Sequence, residues 1–352
     1  VLVVDDSAVI RRLVCLALEE DPAIEVVGVA ANGVAALDRV AQTNPDVITL
    51  DIEMPEMDGL EMLRRLRRED RNTRVVMFSN VTRRGALATL EALALGADDY
   101  VTKPSGAASL DVSMANLRQQ LIPKIRQFFQ FAPPCETPFP TAPTAIRAPA
   151  PLLFPVNRAF GLARVVAIGV STGGPMALGA ILPQFPEGFR LPVFIVQHMP
   201  PLFTRLLAEH LNTLTRLSVK EAVAGERPEP GRVYIAPGAY HMRVAGGPAG
   251  AAIVVDQGGL ENSCRPSVDV LFNSLAETYG GAVVAAVLTG MGQDGLRGAQ
   301  RLKAQGAYIL AQDEATSVVW GMPGAVVRGG VADKVLPLDQ VVPAILKQVG
   351  GP

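Results

Sequence analysis

Residues 164–182 read "RVVAIGVSTGGPMALGAIL": an apolar run, a glycine-rich turn, then a second apolar run. Several consecutive apolar residues closed by glycines suit a strand covered on both faces, and the run behind them suits a helix, so the segment reads as strand, sharp turn, helix. The pattern recurs on both sides. Downstream, "PVFIVQH", "RVYIAP", "AVVAAVLTG" and "AYILAQD" are further strands, with the helical "LFTRLLAEHL" among the segments between them. "GRVYIAPGAYHMRVAGGPAGAAIVVD" reads as a hairpin rather than a crossover, so this sheet is expected to carry an antiparallel edge. Upstream, "VLVVDD", "PDVITLD", "RVVMFS" and "DYVTKP" alternate with helical stretches such as "SAVIRRLVCLALEE" and "GLEMLRRLRRE". The fold class is therefore α/β: a flavodoxin-like doubly wound domain followed by a second doubly wound α/β domain.

Between the halves, residues 131–155, "FAPPCETPFPTAPTAIRAPAPLLFP", combine prolines with small residues, a composition that packs no core and favours extended backbone. The expected division is 1–125, a linker over 126–160, and 161–350. A length of 352 residues suits two domains at roughly 150 residues each. Hydrophobic residues at 49% and charged residues at 19% exclude a mostly disordered chain, and a net charge of −2 with no basic block argues against nucleic acid as a partner. Cys15, Cys135 and Cys264 form no C-x-x-C pair and are odd in number, which points away from zinc or a disulfide framework and toward a reducing cytoplasm. No apolar run approaches the roughly 20 residues that span a bilayer, and the first residues carry acids where a signal peptide carries bases. A soluble, cytoplasmic protein without membrane insertion is expected.

In the first half, Asp5 and Asp6 end the first strand, Asp51 the third, Ser79 the fourth and Lys103 the fifth. A doubly wound sheet gathers such positions into one crevice at its carboxyl edge. Clustered carboxylates repel one another unless a cation joins them, and hard oxygen donors favour Mg²⁺. Asp51 is then a candidate phosphoryl acceptor, with Mg²⁺ and Lys103 offsetting phosphate charge.

In the second half, "IGVSTGGP" at 168–175 admits two readings. A dinucleotide fingerprint would need glycine where Ser171 stands and an acid at the next strand end, which instead carries Gln197 and His198. The alternative is G-x-S-x-G, a turn that presents a serine nucleophile. Such a hydroxyl needs a base. Of the three histidines, His198 ends a strand on the same sheet edge, whereas His210 sits in a helical pattern and His241 in a turn with a structural or substrate-lining role. Asp294, in "LTGMGQDG", follows another core strand and can orient an imidazole, although alone it reads first as a helix N-cap. Gly290, Gly292 and Gly295 let that loop aim Asp294 or the Met291 N–H inward.

The N-terminal pattern resembles the receiver domains of response regulators. That resemblance implies Asp51 as phosphoacceptor and Asp6 as a direct Mg²⁺ ligand, with Asp5 acting through water and the Glu53 carbonyl as a further ligand. It also implies Ser79 and Lys103 at the phosphate, and Tyr100 as an aromatic that changes rotamer. "IGVSTGGP", "VQHMPPLFTRLLAEHLN", "VYIAPGAYHM", "RPSVDVLFNSLA", "VLTGMGQDG" and "AQDEATSVVWGMPGAVV" together resemble the chemotaxis protein-glutamate methylesterase (CheB) family. This second resemblance implies Ser171, His198 and Asp294 as a catalytic triad, Thr172 lining the nucleophile turn, Met291 N–H in the oxyanion hole and Arg265 near substrate. It implies methyl-accepting chemoreceptors as substrate, glutamine deamidation as a second activity, a chemotaxis histidine kinase as phosphodonor, and no cofactor for the esterase. Cys264 departs from the family pattern, where histidine is common. The competing expectation is a non-enzymatic signalling module, gated by the receiver, that binds a partner through the second domain.

Overall fold

The computed structural model describes residues 1–80, 82–103, 110–129, 163–247 and 250–350. The N-terminal sheet contains β1 (Leu2–Val4), β2 (Gly28–Ala30), β3 (Val47–Asp51), β4 (Arg74–Ser79) and β5 (Asp99–Thr102) in the order β2-β1-β3-β4-β5, all parallel. Its helices are α1 (Ala8–Leu18), α2 (Gly33–Thr43), α3 (Gly59–Glu69), α4 (Arg83–Ala94) and α5 (Leu110–Arg126). Local chemistry starts the first four: the side chains of Ser7, Asn32, Asp58 and Thr82 each accept from a backbone N–H in the first turn. β1 and β3 are buried throughout, as strands covered by helices on both faces must be.

The C-terminal sheet has seven strands: β6 (Val165–Val170), β7 (Val193–Gln197), β8 (Ser218–Glu221), β9 (Arg232–Ile235), β12 (Val283–Val287), β13 (Tyr308–Gln312) and β14 (Lys334–Leu336). Their order is β14-β13-β12-β6-β7-β9-β8, with every pairing parallel. The antiparallel element expected from "GAYHMRVAGGPAGAAIVVD" is the hairpin of β10 (His241–Ala245) and β11 (Ala252–Asp256), which forms its own two-stranded sheet. It is tied to α8 (Val268–Tyr279) by Val244 N–H donating to Ser274 Oγ and Thr278 Oγ1 donating to the Val244 carbonyl. The remaining helices are α6 (Gly174–Ile181), α7 (Phe203–Leu214), α9 (Leu296–Ala304), α10 (Met322–Arg328) and α11 (Leu338–Gln348). Beyond residue 129, the segment expected to link the halves lies outside the described residues, as does Cys135.

The two units touch through α4, β5 and α5 on one side and α6, α7 and the turn after β6 on the other. Tyr100 stacks on Phe203 with ring centroids 4.9 Å apart and planes 12° from parallel, and both belong to one apolar cluster that continues from one unit into the other. Such a pair contributes about 0.5–1.5 kcal/mol beyond its buried area. This docking decides what surrounds Ser171.

Candidate active site and candidate phosphorylation site

Sheet order builds the C-terminal site. β12, β6 and β7 are adjacent, so the loops leaving their carboxyl ends lie within about 10 Å at the usual strand spacing. Ser171 follows β6, His198 follows β7, and Asp294 stands in the loop after β12. Ser171 N–H donates to the Thr289 carbonyl, and buried Gln197 donates from Nε2 to the Ser171 carbonyl, so the nucleophile turn is held from both neighbouring strands. Gly290 makes the close approach possible: a Cβ there would lie 2.6 Å from both the Ser171 Cβ and the Met322 Sδ.

Asp294 does not cap its own helix, where the N-cap is Gly295 at φ 94°. Its carboxylate is seated at the amino end of α8, accepting from Val268 N–H (2.7 Å), Asp269 N–H (3.1 Å), Ser267 Oγ (2.8 Å) and Asn262 Nδ2 (2.9 Å). A helix N-terminus favours an anion. Burial alone would raise this carboxyl, but His198 and the α8 amides outweigh it and hold the pKa down at about 2.

His198 Nε2 lies 2.8 Å from Asp294 Oδ2. The other ring nitrogen, Nδ1, faces Cys264 Sγ at 3.7 Å. Burial disfavours the imidazolium, yet Asp294 and Cys264 together lift its pKa to about 9. The serine-to-histidine hydrogen bond expected of a triad is not made: Ser171 Oγ has no hydrogen-bond partner among the described residues. Ser171 and His198 instead line one cavity of about 20 Å³, roofed by Asp98, Asp99, Tyr100 and Lys124 of the N-terminal unit. Thr172 Oγ1 donates to Asp99 Oδ2 at 2.8 Å, with Gln127 Oε1 at 3.1 Å, and Asp99 is itself held by Lys124 Nζ at 2.6 Å. The N–H of Met291 donates no hydrogen bond among the described residues, and the Met291 residue is 42% exposed. Arg265 lines a wider cleft of about 570 Å³ beside His198, its Nη1 donating to the Gly258 carbonyl. His241 is fully buried, with Nε2 2.8 Å from the Gly259 carbonyl, so it is structural; His210 sits on α7.

In the N-terminal crevice the carboxylates of Asp5, Asp6 and Asp51 present oxygens within 4.8 Å of one another. Lys103 Nζ lies 2.8 Å from both Asp5 Oδ2 and Asp51 Oδ2. Burial, reinforced by Asp5, pushes the Asp51 carboxyl up to about 6 despite Lys103, while Lys103 is raised because the two carboxylates overcome its own burial. Three hard oxygen donors around one point fit Mg²⁺. The Glu53 carbonyl accepts no hydrogen bond among the described residues, while its carboxylate pairs with Arg84. Ser79 is not engaged with Asp51: its Oγ donates to the Gly85 carbonyl (3.1 Å) and accepts from Thr89 Oγ1 (2.7 Å), both on α4.

The comparisons with known proteins agree with this two-part layout. A family model described as CheB methylesterase matches residues 166–345, and one described as response regulator receiver domain matches residues 1–115. The chain belongs to the CheB methylesterase family. Among similar relatives, the protein-glutamate methylesterase/protein-glutamine glutaminase of Trichodesmium erythraeum (strain IMS101) is 46% identical, covering 99% of each chain. The one from Nocardioides sp. (strain ATCC BAA-499 / JS614) is 49% identical over 99% of this chain and 95% of its own. The crystal structure of the Thermotoga maritima CheB methylesterase catalytic domain matches with a TM-score of 0.52 and 42% identity, covering 53% of this chain and 98% of that one.

Ser171, His198 and Asp294 stand just beyond the strands from which the sequence placed them. Unread in the sequence were Gln197 as a clamp, Asn262 and Ser267 as holders of Asp294, and the Asp99, Lys124 and Gln127 roof. Ser267 had a readable signal, since a serine before "VDVLF" is an N-cap pattern and its side chain does accept from Val270 N–H. The roof had none.

Proposed function

We propose that this chain hydrolyses γ-methyl esters of glutamate side chains on chemoreceptors, and deamidates receptor glutamines, with Ser171 as nucleophile under the control of phosphorylation at Asp51. The observation that carries the reading is the convergence of Ser171, His198 and Asp294 on three adjacent strand ends, with His198 and Asp294 already paired. Ser171 Oγ attacks the ester carbonyl while His198 Nδ1, the nitrogen not held by Asp294, takes its proton. The oxyanion is met by backbone N–H groups, Met291 among them; one such donor is worth about 10²- to 10³-fold in rate. Methanol departs with the proton from His198, and water then attacks the acyl-enzyme to release glutamate and free Ser171. An amide follows the same course with ammonia as leaving group. Thr172 lines the turn and Arg265 the approach.

In the docked arrangement this chemistry is blocked, because Asp99 and Tyr100 roof Ser171 and the Thr172 hydroxyl is spent on Asp99. A chemotaxis histidine kinase supplies the phosphoryl group to Asp51. The carboxylates of Asp5, Asp6 and Asp51 with the Glu53 carbonyl would hold Mg²⁺, which when bound offsets phosphoryl charge. Ser79 gives up Gly85 and Thr89 to bond the phosphoryl oxygens, α4 shifts, and Tyr100 changes rotamer to leave Phe203. The roof then lifts. The reaction belongs to the cytoplasm, where thiols such as Cys15 and Cys264 form no structural disulfide.

The test is methanol release from methylated chemoreceptor membranes by the intact protein and by Ser171→Ala, with and without a small acyl phosphate as phosphodonor. Methanol from the intact protein alone, rising with the phosphodonor, is expected. Equal release by Ser171→Ala would remove the nucleophile assignment.

A further inference from the structure

The His198 imidazole has two nitrogens and three claimants. Asp294 holds Nε2, so Nδ1 serves either Ser171 or Cys264, and in this structure it faces the Cys264 thiol. Carboxylate, imidazole and thiol in line form the constellation that activates nucleophilic cysteines, because the imidazole accepts the thiol proton and the carboxylate stabilises the resulting cation. Access differs sharply between the two nucleophiles. Ser171 lines the 20 Å³ cavity under the receiver, whereas Cys264 and His198 line the cleft of about 570 Å³. Lys124 and Arg265 border that cleft, Lys124 being paired with Asp99. Arg265 has no carboxylate partner among the described residues.

We propose that Cys264 is an oxidation site, in contact with His198 Nδ1 and open in the docked enzyme, through which peroxides switch the esterase off. His198 Nδ1 takes the thiol proton as the Cys264 sulfur attacks one peroxide oxygen and the O–O bond breaks. The departing hydroxide takes the proton from the His198 imidazolium and leaves as water. Sulfur is oxidised by two electrons to the sulfenic acid and the peroxide is reduced by two. The added oxygen lies between Sγ and Nδ1, where Ser171 must bring its proton, so hydrolysis stops. A small dithiol condenses with the sulfenic acid, losing water, and its second thiol displaces the mixed disulfide to restore Cys264. The shut-off rests on the catalytic role proposed for His198; the oxidation itself rests only on the geometry.

The test uses the full chain carrying Cys135→Ser, leaving Cys264 and the buried Cys15 as the thiols compared. Each protein is treated with hydrogen peroxide, labelled with a cyclic 1,3-dione specific for sulfenic acids, and mapped by peptide mass spectrometry. Methanol release is measured in parallel and normalised to each protein's untreated rate. Labelling at Cys264 is expected to exceed that at Cys15 by about tenfold or more, and to fall about tenfold in His198→Gln, as loss of the group that accepts the thiol proton dictates. Peroxide is expected to silence methanol release reversibly with dithiol, and to leave Cys264→Ser at its own starting rate. Absence of label at Cys264, or equal labelling in a folded His198→Gln, overturns the site. Label without lost activity, or loss that persists in Cys264→Ser, overturns the switch. If no methyl ester is hydrolysed by any form, the labelling arm still decides whether Cys264 is activated by His198.

Discussion

The hydroxyl of Thr172, the residue after Ser171, donates to Asp99 of the receiver at 2.8 Å. The junction between the two units thus reaches the residue beside Ser171, and each side can be cut separately.

Asp99→Asn keeps the shape but removes the charge that Thr172, Lys124 and Gln127 all address. Hydrogen bonds to charged groups contribute about 1.5–3 kcal/mol, so basal methanol release without phosphodonor should rise several-fold, toward tenfold. An unchanged basal rate in a steady-state assay would show that the roof is held by packing instead.

Asp51→Asn should abolish stimulation by the phosphodonor while leaving the basal rate within about twofold, since Asp51 stands in the other unit from Ser171, bonded to Lys103 and the Ile52 N–H beside Asp5 and Asp6. Ser79→Ala should retain phosphorylation yet lose most of the stimulation, which a phosphoprotein gel beside the methanol assay would reveal.

Asp294→Asn leaves the α8 amides an acceptor but deprives His198 of its carboxylate. The expected fall in kcat is about 10⁴-fold, as for loss of the orienting carboxylate in other triads, with KM little changed. A loss under tenfold would mean that His198 is oriented by other groups.

The pH response follows from two shifts of opposite sign. His198 is raised from 6.5 to about 9, so its stabilisation is complete below about pH 6.5 and is lost as pH rises through 9. Asp294 is lowered from 3.8 to about 2, so its contribution is present above about pH 4 and is lost as pH falls through 2. The pair therefore stabilises most between about pH 4 and 6.5, and the melting temperature should decline on the alkaline side across 6.5–9. Activity runs the other way: a cationic His198 cannot accept the Ser171 proton, so the unphosphorylated enzyme should gain rate up to about pH 9. Cys264→Ser removes a contributor that raises His198 and should move this limb to lower pH.

Gly290→Ala introduces a methyl group 2.6 Å from the Ser171 Cβ and the Met322 Sδ. Overpacking of this kind costs about 1–3 kcal/mol, and here it displaces the turn that carries Ser171. Melting should fall by several degrees and methanol release by more than the folded fraction explains.

Much of the fold and the site was legible in the sequence for a definite reason. Strand-end residues such as Asp51, Ser171 and His198 are marked by the local change from an apolar run to a polar turn, and parallel sheets gather those ends on one edge whatever the loops do. The caps at Ser7, Asn32, Asp58, Thr82 and Ser267 are contacts within three residues of chain, so they too are locally encoded, although only the structure brought them out. Tertiary structure alone decided what each side chain meets there. The amino end of α8 receives Asp294 from 26 residues downstream, Cys264 reaches His198 across 66, and Asp99 reaches Thr172 across 73. No local pattern encodes such pairs, because they exist only once strand order and receiver docking bring distant segments within the 3 to 4 Å over which a proton or an ion pair is shared.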